Sequence, residues 1–258
     1  MNNTTIDQFH SKNRGFAATF IIYFFISASI FPFYIRIFNR NNNQEKNSLV
    51  FRILAHFCFV IKLKFIVIIL MTLDLTVLYF WLGKNVISVF GIFYLLIGLS
   101  ILNFTTQVTY FLLSLLVVQR FFIHFWPWTE KSMKLAKIIS FSYLFVCLEF
   151  LSFFIHHSST FLYITINTCL FVSAFLYIPI AMNLYNYRFV LSTQTIKPHR
   201  YVMSQLASIL ILKMLTFLCI YHSNYLDFEH FIWFCKAIDA FGSSIVIQIS
   251  YLCCTKIF

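Results

Sequence analysis

Seven stretches of apolar, almost uncharged residues follow one another along the 258-residue chain. They occupy residues 16–38, 65–82, 92–122, 138–155, 161–187, 201–221 and 231–255. A bilayer core about 30 Å thick needs about 20 such residues in a helix, because each residue advances the helix by about 1.5 Å. The chain is therefore predicted to be an all-α polytopic membrane protein, a bundle of seven transmembrane helices.

The composition excludes a water-soluble domain of this length. Hydrophobic residues make up 60% of the chain and charged residues 10%, and the mean hydropathy is +0.83. A soluble core uses about half of its residues as apolar ones, so the excess must face membrane lipid. The net charge of +11 comes mostly from basic residues between the apolar tracts. There they orient a protein in its membrane, and we expect no nucleic-acid partner.

The third apolar tract is longer than a single span. No charged residue occurs between Lys84 and Arg120. At about 1.5 Å per residue this stretch exceeds one bilayer thickness, but it is too short for two spans and a turn. We predict one long helix, preceded by an interfacial segment that contains Gly91 and Gly98.

Basic residues are distributed unevenly between the two sides of the membrane. With the N-terminus outside, fourteen of the nineteen fall on the inner side and three on the outer, and the first inner loop extends to Lys64. The positive-inside rule then predicts an extracellular N-terminus and a cytoplasmic C-terminus in the plasma membrane. Residues 1–15 are a predicted extracellular segment, in which Asn2 and Asn3 begin glycosylation sequons. Residues 16–256 form a single predicted seven-transmembrane domain.

Five ionisable residues lie within the apolar tracts, all in the predicted outer halves of their spans: Asp74, Glu149, Lys213, Lys236 and Asp239. A charge at the bilayer centre costs about 2.5–3.5 kcal/mol on insertion scales, so each should face the bundle or a wet cavity. They are candidates for a ligand pocket. Lys213 and Asp239 fall at matching depth on sequential antiparallel helices, which predicts an ion pair. Such a pair either lines the pocket or only ties two helices together.

Arg120 belongs to the stretch LLSLLVVQRFFIHFWPWTEK at 112–131, at the predicted cytoplasmic end of the third span. This stretch, with FLYIPIAMNLYNYRF in the fifth span, KPHRY at 197–201 and VIQISYLCCTK in the seventh, resembles the nematode serpentine chemoreceptors, most of all class Z. The resemblance covers roughly residues 16–256. It implies a seven-helix G-protein-coupled receptor that binds an extracellular small molecule. It also places Arg120 where rhodopsin-like receptors carry an arginine at the inner end of this helix.

The resemblance further implies that a heterotrimeric G protein binds at the basic inner face. The candidate coupling residues are Arg120, Lys131, Lys197 and Arg200. Arg120 has a simpler alternative role, as an anchor whose charged head lies at the membrane interface. Gln119 stands where rhodopsin-like receptors carry an acidic neighbour of this arginine, so no ionic latch forms between adjacent residues.

The sequence pattern argues against an enzyme, a metal-binding protein or a transporter. It contains no Cys/His spacing of the kind that zinc requires and no paired catalytic motif, so we expect no metal, no cofactor and no enzymatic activity. A small-solute transporter needs broken helices or a polar path through the whole membrane, whereas the intramembrane charges concentrate on the outer side. A polytopic membrane protein that folds but does not signal is the alternative that stays open.

Overall fold

A computed structural model describes residues 22–40, 49–81, 83–126, 138–147, 159–186, 193–221 and 228–256. These residues form seven α-helices: α1 (Ile22–Arg40), α2 (Leu49–Trp81), α3 (Gly83–Phe125), α4 (Ile138–Cys147), α5 (Ser159–Asn186), α6 (Thr193–Tyr221) and α7 (Phe228–Lys256). No strand occurs in the described residues. The prediction of an all-α helical bundle is therefore confirmed.

Six of the seven helices, all except α4, are long and apolar enough to cross a membrane. Large apolar side chains cover their outward faces, among them Phe25, Phe33 and Phe175, each more than half exposed. A soluble protein does not expose apolar surface on this scale, so this surface faces lipid. The described part of α4 holds ten residues. The rest of the predicted fourth span, up to residue 155, lies outside the described residues.

Successive helices pack antiparallel, so α1, α3, α5 and α7 begin at one end of the bundle. Along α6 and α7, for example, Lys213 contacts Asp239 and Ser208 contacts Ser250, which gives opposite chain directions. We call the end at which α1 begins the outer end, because the charge bias predicts it to be extracellular, and the opposite end the inner end.

Helices α3 and α7 form the centre of the bundle. Each buries 61% of its membrane span, against 17% for α1. Helix α3 packs against α2, α5 and α7, and α7 also packs against α6. The inward face of α3 contributes Leu112, Leu113 and Leu116 to the hydrophobic core. Side chains from α2, α5 and α6 can therefore reach a group on α3 or α7.

The predicted start of the second span is wrong. Helix α2 begins at Leu49 instead of residue 65, and the basic residues Arg52, Lys62 and Lys64 lie within it, not in an inner loop. Lys64 is almost completely buried in the bundle. Without these three residues the charge bias falls to eleven against three, so the predicted orientation is unaffected.

The predicted long third helix is confirmed, and it continues through the predicted interfacial segment. Helix α3 runs without interruption from Gly83 to Phe125, about 65 Å at 1.5 Å per residue. Gly98 lies inside this helix, and a Cβ atom at that position would overlap the side chain of Met71 on α2. Gly98 therefore serves the close approach of two helices, a common role for small residues in membrane bundles.

Candidate functional site

An ion pair links α6 and α7 in the outer half of the bundle. Lys213 Nζ lies 2.6 Å from Asp239 Oδ2, and the two side chains are only 9% and 6% exposed. Gly242 lies close to α6 beside this contact, since a Cβ atom there would come within 2.8 Å of Leu212 Cδ2. The predicted pairing of Lys213 with Asp239 is confirmed.

Two tyrosine hydroxyl groups complete the surroundings of the carboxylate. Tyr163 of α5 donates a hydrogen bond to Asp239 Oδ2 at 2.6 Å, and Tyr110 of α3 donates one to Oδ1 at 3.3 Å. Lys213 Nζ also lies 4.6 Å from the ring centroid of Tyr110 and 5.5 Å from that of Tyr163. These are cation–π distances. Three donors from three helices thus hold one buried carboxylate on a fourth, as a buried charge requires.

Lys236 adds a positive charge to this group. It precedes Asp239 by three residues on α7, toward the outer end, and it is half-buried. Its Nζ lies 5.7 Å from the ring centroid of Tyr163, so Lys213 and Lys236 approach the same ring. We call Tyr110, Tyr163, Lys213, Lys236 and Asp239 the outer cluster.

A further ammonium group lies deeper, at the middle of the α2 membrane span. Lys64 Nζ donates hydrogen bonds to Thr106 Oγ1 at 2.6 Å, to Ser243 Oγ at 2.6 Å and to the Ala240 carbonyl at 3.3 Å. These bonds use all three donors of the ammonium group, and none of the acceptors is a carboxylate. Ala240 and Ser243 form the turn of α7 that follows Asp239. Lys64 therefore ties α2 and α3 to α7 immediately below the outer cluster.

Sequence reasoning missed Lys64, Tyr110 and Tyr163. A signal for Lys64 is present in the helical periodicity of α2. Phe57 and Ile61 are buried, and Lys64 follows them by seven and three residues, which is the spacing of a single helix face. The chain contains fourteen tyrosines, so composition offers no comparable signal for Tyr110 and Tyr163.

Several candidate site residues have no described side chain. Asp74 lies in α2 and Lys197 and Arg200 lie in α6, whereas Asn2, Asn3, Lys131 and Glu149 lie outside the described residues. Of the five pocket candidates, the described side chains bring together three: Lys213, Lys236 and Asp239. Within the described parts of the chain, no three His, Cys, Asp or Glu side chains meet as metal ligands would.

Arg120 is half-buried near the inner end of α3. Its charge acts on the hydroxyl group of Tyr177, a buried residue of α5. One turn further along α3, His124 Nε2 lies 2.8 Å from Asn183 Nδ2, also on α5. The inner contact between α3 and α5 is therefore polar, and Arg120 lies beside it.

The outer cluster and Arg120 thus lie near opposite ends of one membrane-embedded helical bundle. No curated protein and no solved structure gives a significant match to the chain. The model of the family described as "serpentine type 7TM GPCR chemoreceptor Srz" matches residues 17–256, which include all seven helices. The chain therefore belongs to the Srz family of serpentine-type seven-transmembrane chemoreceptors.

Proposed function

We propose that the chain is a chemosensory receptor that binds a small extracellular molecule at the outer cluster and signals through a heterotrimeric G protein at its inner end. Membership of the chemoreceptor family supports this proposal. The observation that carries it is the meeting of α3, α5, α6 and α7 at Asp239. A molecule that contacts this cluster touches four helices at once. Its binding can therefore favour one arrangement of those helices over another.

The proposed orientation has the N-terminus outside the cell and the C-terminus in the cytoplasm. It rests on the charge bias between the two sides of the membrane. The sequons at Asn2 and Asn3 then face the compartment in which glycosylation occurs. Antibody staining of a C-terminal tag in intact cells tests the orientation. Staining without permeabilisation would show that the C-terminus is extracellular, which contradicts the proposed orientation.

At the inner end, Arg120 is the proposed coupling residue, and Lys131, Lys197 and Arg200 are proposed to supply further positive charge. A guanidinium group offers five donors in a fixed geometry and keeps its charge, so it can exchange one set of partners for another. The electrostatic interaction of the Arg120 charge with the Tyr177 hydroxyl group supports this role, since any shift of α3 against α5 changes the surroundings of the guanidinium.

Calcium or cAMP imaging of cells that express the full chain, exposed to an odorant panel, tests the proposal. We expect at least one compound to produce a response. Arg120→Ala should abolish that response at matched surface levels while ligand binding is retained. Arg36→Ala is the matched control, because Arg36 is an exposed basic residue near the inner end of α1. A normal response from Arg120→Ala would mean that Arg120 is only a membrane anchor.

A further inference from the structure

We propose that the ligand of the outer cluster carries an anionic group of the carboxylate class, joined to an apolar body, and that Lys213 and Lys236 bind the anion. The inference rests on the proposed function, because it names the chemistry of the ligand at the same site. Three features of the cluster support it: the bonding of Asp239, the bonding of Lys213 and the balance of charge.

Asp239 already has the donors that a buried carboxylate needs. Lys213, Tyr163 and Tyr110 all donate to it, and two of these three bonds measure 2.6 Å. A cationic ligand would have to take the place of Lys213 and leave a lysine ammonium buried without its carboxylate. Separating a buried ion pair in this way is strongly unfavourable. The cluster therefore disfavours an amine.

Lys213, in contrast, has donors to spare. An ammonium group has three N–H donors, and within the described structure Lys213 gives one, to Asp239. Its other close neighbours are the faces of Tyr110 and Tyr163, which accept a cation only weakly. Since the side chain is only 9% exposed, water has little access to the remaining donors. An anionic oxygen supplies an acceptor that the described side chains do not provide.

The charge balance points the same way. The described side chains of the outer cluster include two ammonium groups, on Lys213 and Lys236, and one carboxylate, on Asp239. Charges interact strongly in a bundle that excludes water, so this excess of positive charge attracts an anion. Lys236 lies on the outer side, where an extracellular ligand arrives. The half-buried ring of Tyr163 offers apolar area to the body of the ligand.

Thermal unfolding of the full chain in nanodiscs of zwitterionic lipid tests the ligand class. The probes are two matched sets: 3-phenylpropionate, 3-phenylpropylamine and 3-phenylpropan-1-ol, and hexanoate, hexylamine and hexan-1-ol. We expect the acids to raise the apparent Tm by a few degrees at about ten times their Kd, and the amines and alcohols to leave it unchanged. A shift from the amine or alcohol as large as that from the acid overturns the proposal. So does the absence of any shift from both acids.

Substitutions show whether the acids bind at the outer cluster. Lys236 is only half-buried, so it should tolerate replacement. Lys236→Met should remove the Tm shift that the acids produce, and Lys236→Glu should transfer the preference to the amines. Lys213→Met combined with Asp239→Asn removes both charges without leaving one of them buried alone, so the variant remains able to fold. Lys62→Met, an exposed position on α2, is the control that keeps the shift. If every variant keeps it, the acids bind elsewhere and the proposal fails.

Cell imaging separates failure of this inference from failure of the proposed function. A neutral or cationic compound that activates the wild-type chain but not the Lys213→Met, Asp239→Asn double variant overturns the anionic ligand and leaves the receptor site in place. If the wild-type chain and this double variant respond equally at matched surface levels, the outer cluster is not the ligand site. The proposed binding function then fails as well.

Discussion

In the outer half of the bundle, the carboxylate of Asp239 accepts hydrogen bonds from three side chains. In the inner half, the side-chain amides of Gln205 and Gln248 have no hydrogen-bond partner in the described structure. Both glutamines are completely buried, one on α6 and the other on α7. The buried hydroxyl group of Tyr201, one turn before Gln205, also lacks a partner among the described residues. The same two helices are thus joined by a buried ion pair in the outer half and carry neutral groups without described partners in the inner half.

This difference indicates where α6 and α7 part most easily. A buried polar group without a partner costs about 1–3 kcal/mol, whereas breaking a buried ion pair costs about 3–5 kcal/mol. Separation at the inner end frees Gln205 and Gln248 to find new partners, while separation at the outer end breaks the bond between Lys213 and Asp239. The comparison supports a proposed activation in which the inner end of α6 moves outward and the outer end stays fixed.

The largest effect is expected from removing the carboxylate of the outer cluster. Asp239→Ala leaves the ammonium group of Lys213 buried without a counter-ion, so it should lower the free energy of unfolding by about 4 kcal/mol. Thermal unfolding and surface expression of the full chain measure the loss. The Lys213→Met, Asp239→Asn double variant should recover most of the stability, because neither of its side chains is charged. If Asp239→Ala unfolds like the wild-type chain, the outer half is not the firmly bonded half.

The unpartnered glutamines should give a smaller effect of the opposite sign. Gln205→Leu combined with Gln248→Leu removes four buried polar atoms without partners and should raise the free energy of unfolding by about 3 kcal/mol. The half-buried Gln107 on α3 provides the control, Gln107→Leu. A more stable inner end should also weaken signalling at matched surface levels. A loss of stability in the double variant would mean that ordered water satisfies both amides, and the contrast between the two halves would disappear.

The sequence predicted the helical bundle and the pair of Lys213 with Asp239 for one physical reason. In a membrane, the length of an apolar tract and the depth of a charge within it both follow from the rise per residue. Two residues at equal depth on neighbouring antiparallel helices then meet if they face one another. Counting residues from the span ends was therefore sufficient to find this contact.

Sequence counting failed where side chains from other helices decide the outcome. Lys64 divides an apolar tract and so indicates a loop, but Thr106 and Ser243, distant in the chain, accept its hydrogen bonds inside the bundle. The sequence pattern places Gly98 in an interfacial segment, yet the role of this residue depends on Met71 of another helix. For the same reason, no pattern within α6 indicates that the amide of Gln205 lacks a partner.

The smallest effect is expected at Lys64. Its replacement tests whether Lys64 and the outer cluster stabilise the fold together or independently. Replacing Lys64 breaks three hydrogen bonds, but Thr106 keeps its bond to the Leu102 carbonyl at 2.7 Å. Methionine has a similar length and no charge to remove from water, so Lys64→Met should raise the free energy of unfolding by about 1 kcal/mol. Lys62→Met, at an exposed position two residues earlier, is the comparison variant, because it removes a charge from the same part of α2 without breaking the hydrogen bonds of Lys64.

A double-mutant cycle of Lys64→Met with Asp239→Asn completes this test. If Lys64 acts separately from the outer cluster, the two changes in unfolding free energy should add to within about 0.5 kcal/mol. A clear departure from additivity, together with a loss of stability in Lys64→Met alone, would mean that Lys64 and Asp239 stabilise each other across the intervening turn of α7. The firmly bonded region would then extend from α6 to α2 and reach the middle of the membrane. In that case, a ligand that alters the bond between Lys213 and Asp239 would also change the contact of α2 with α3 and α7.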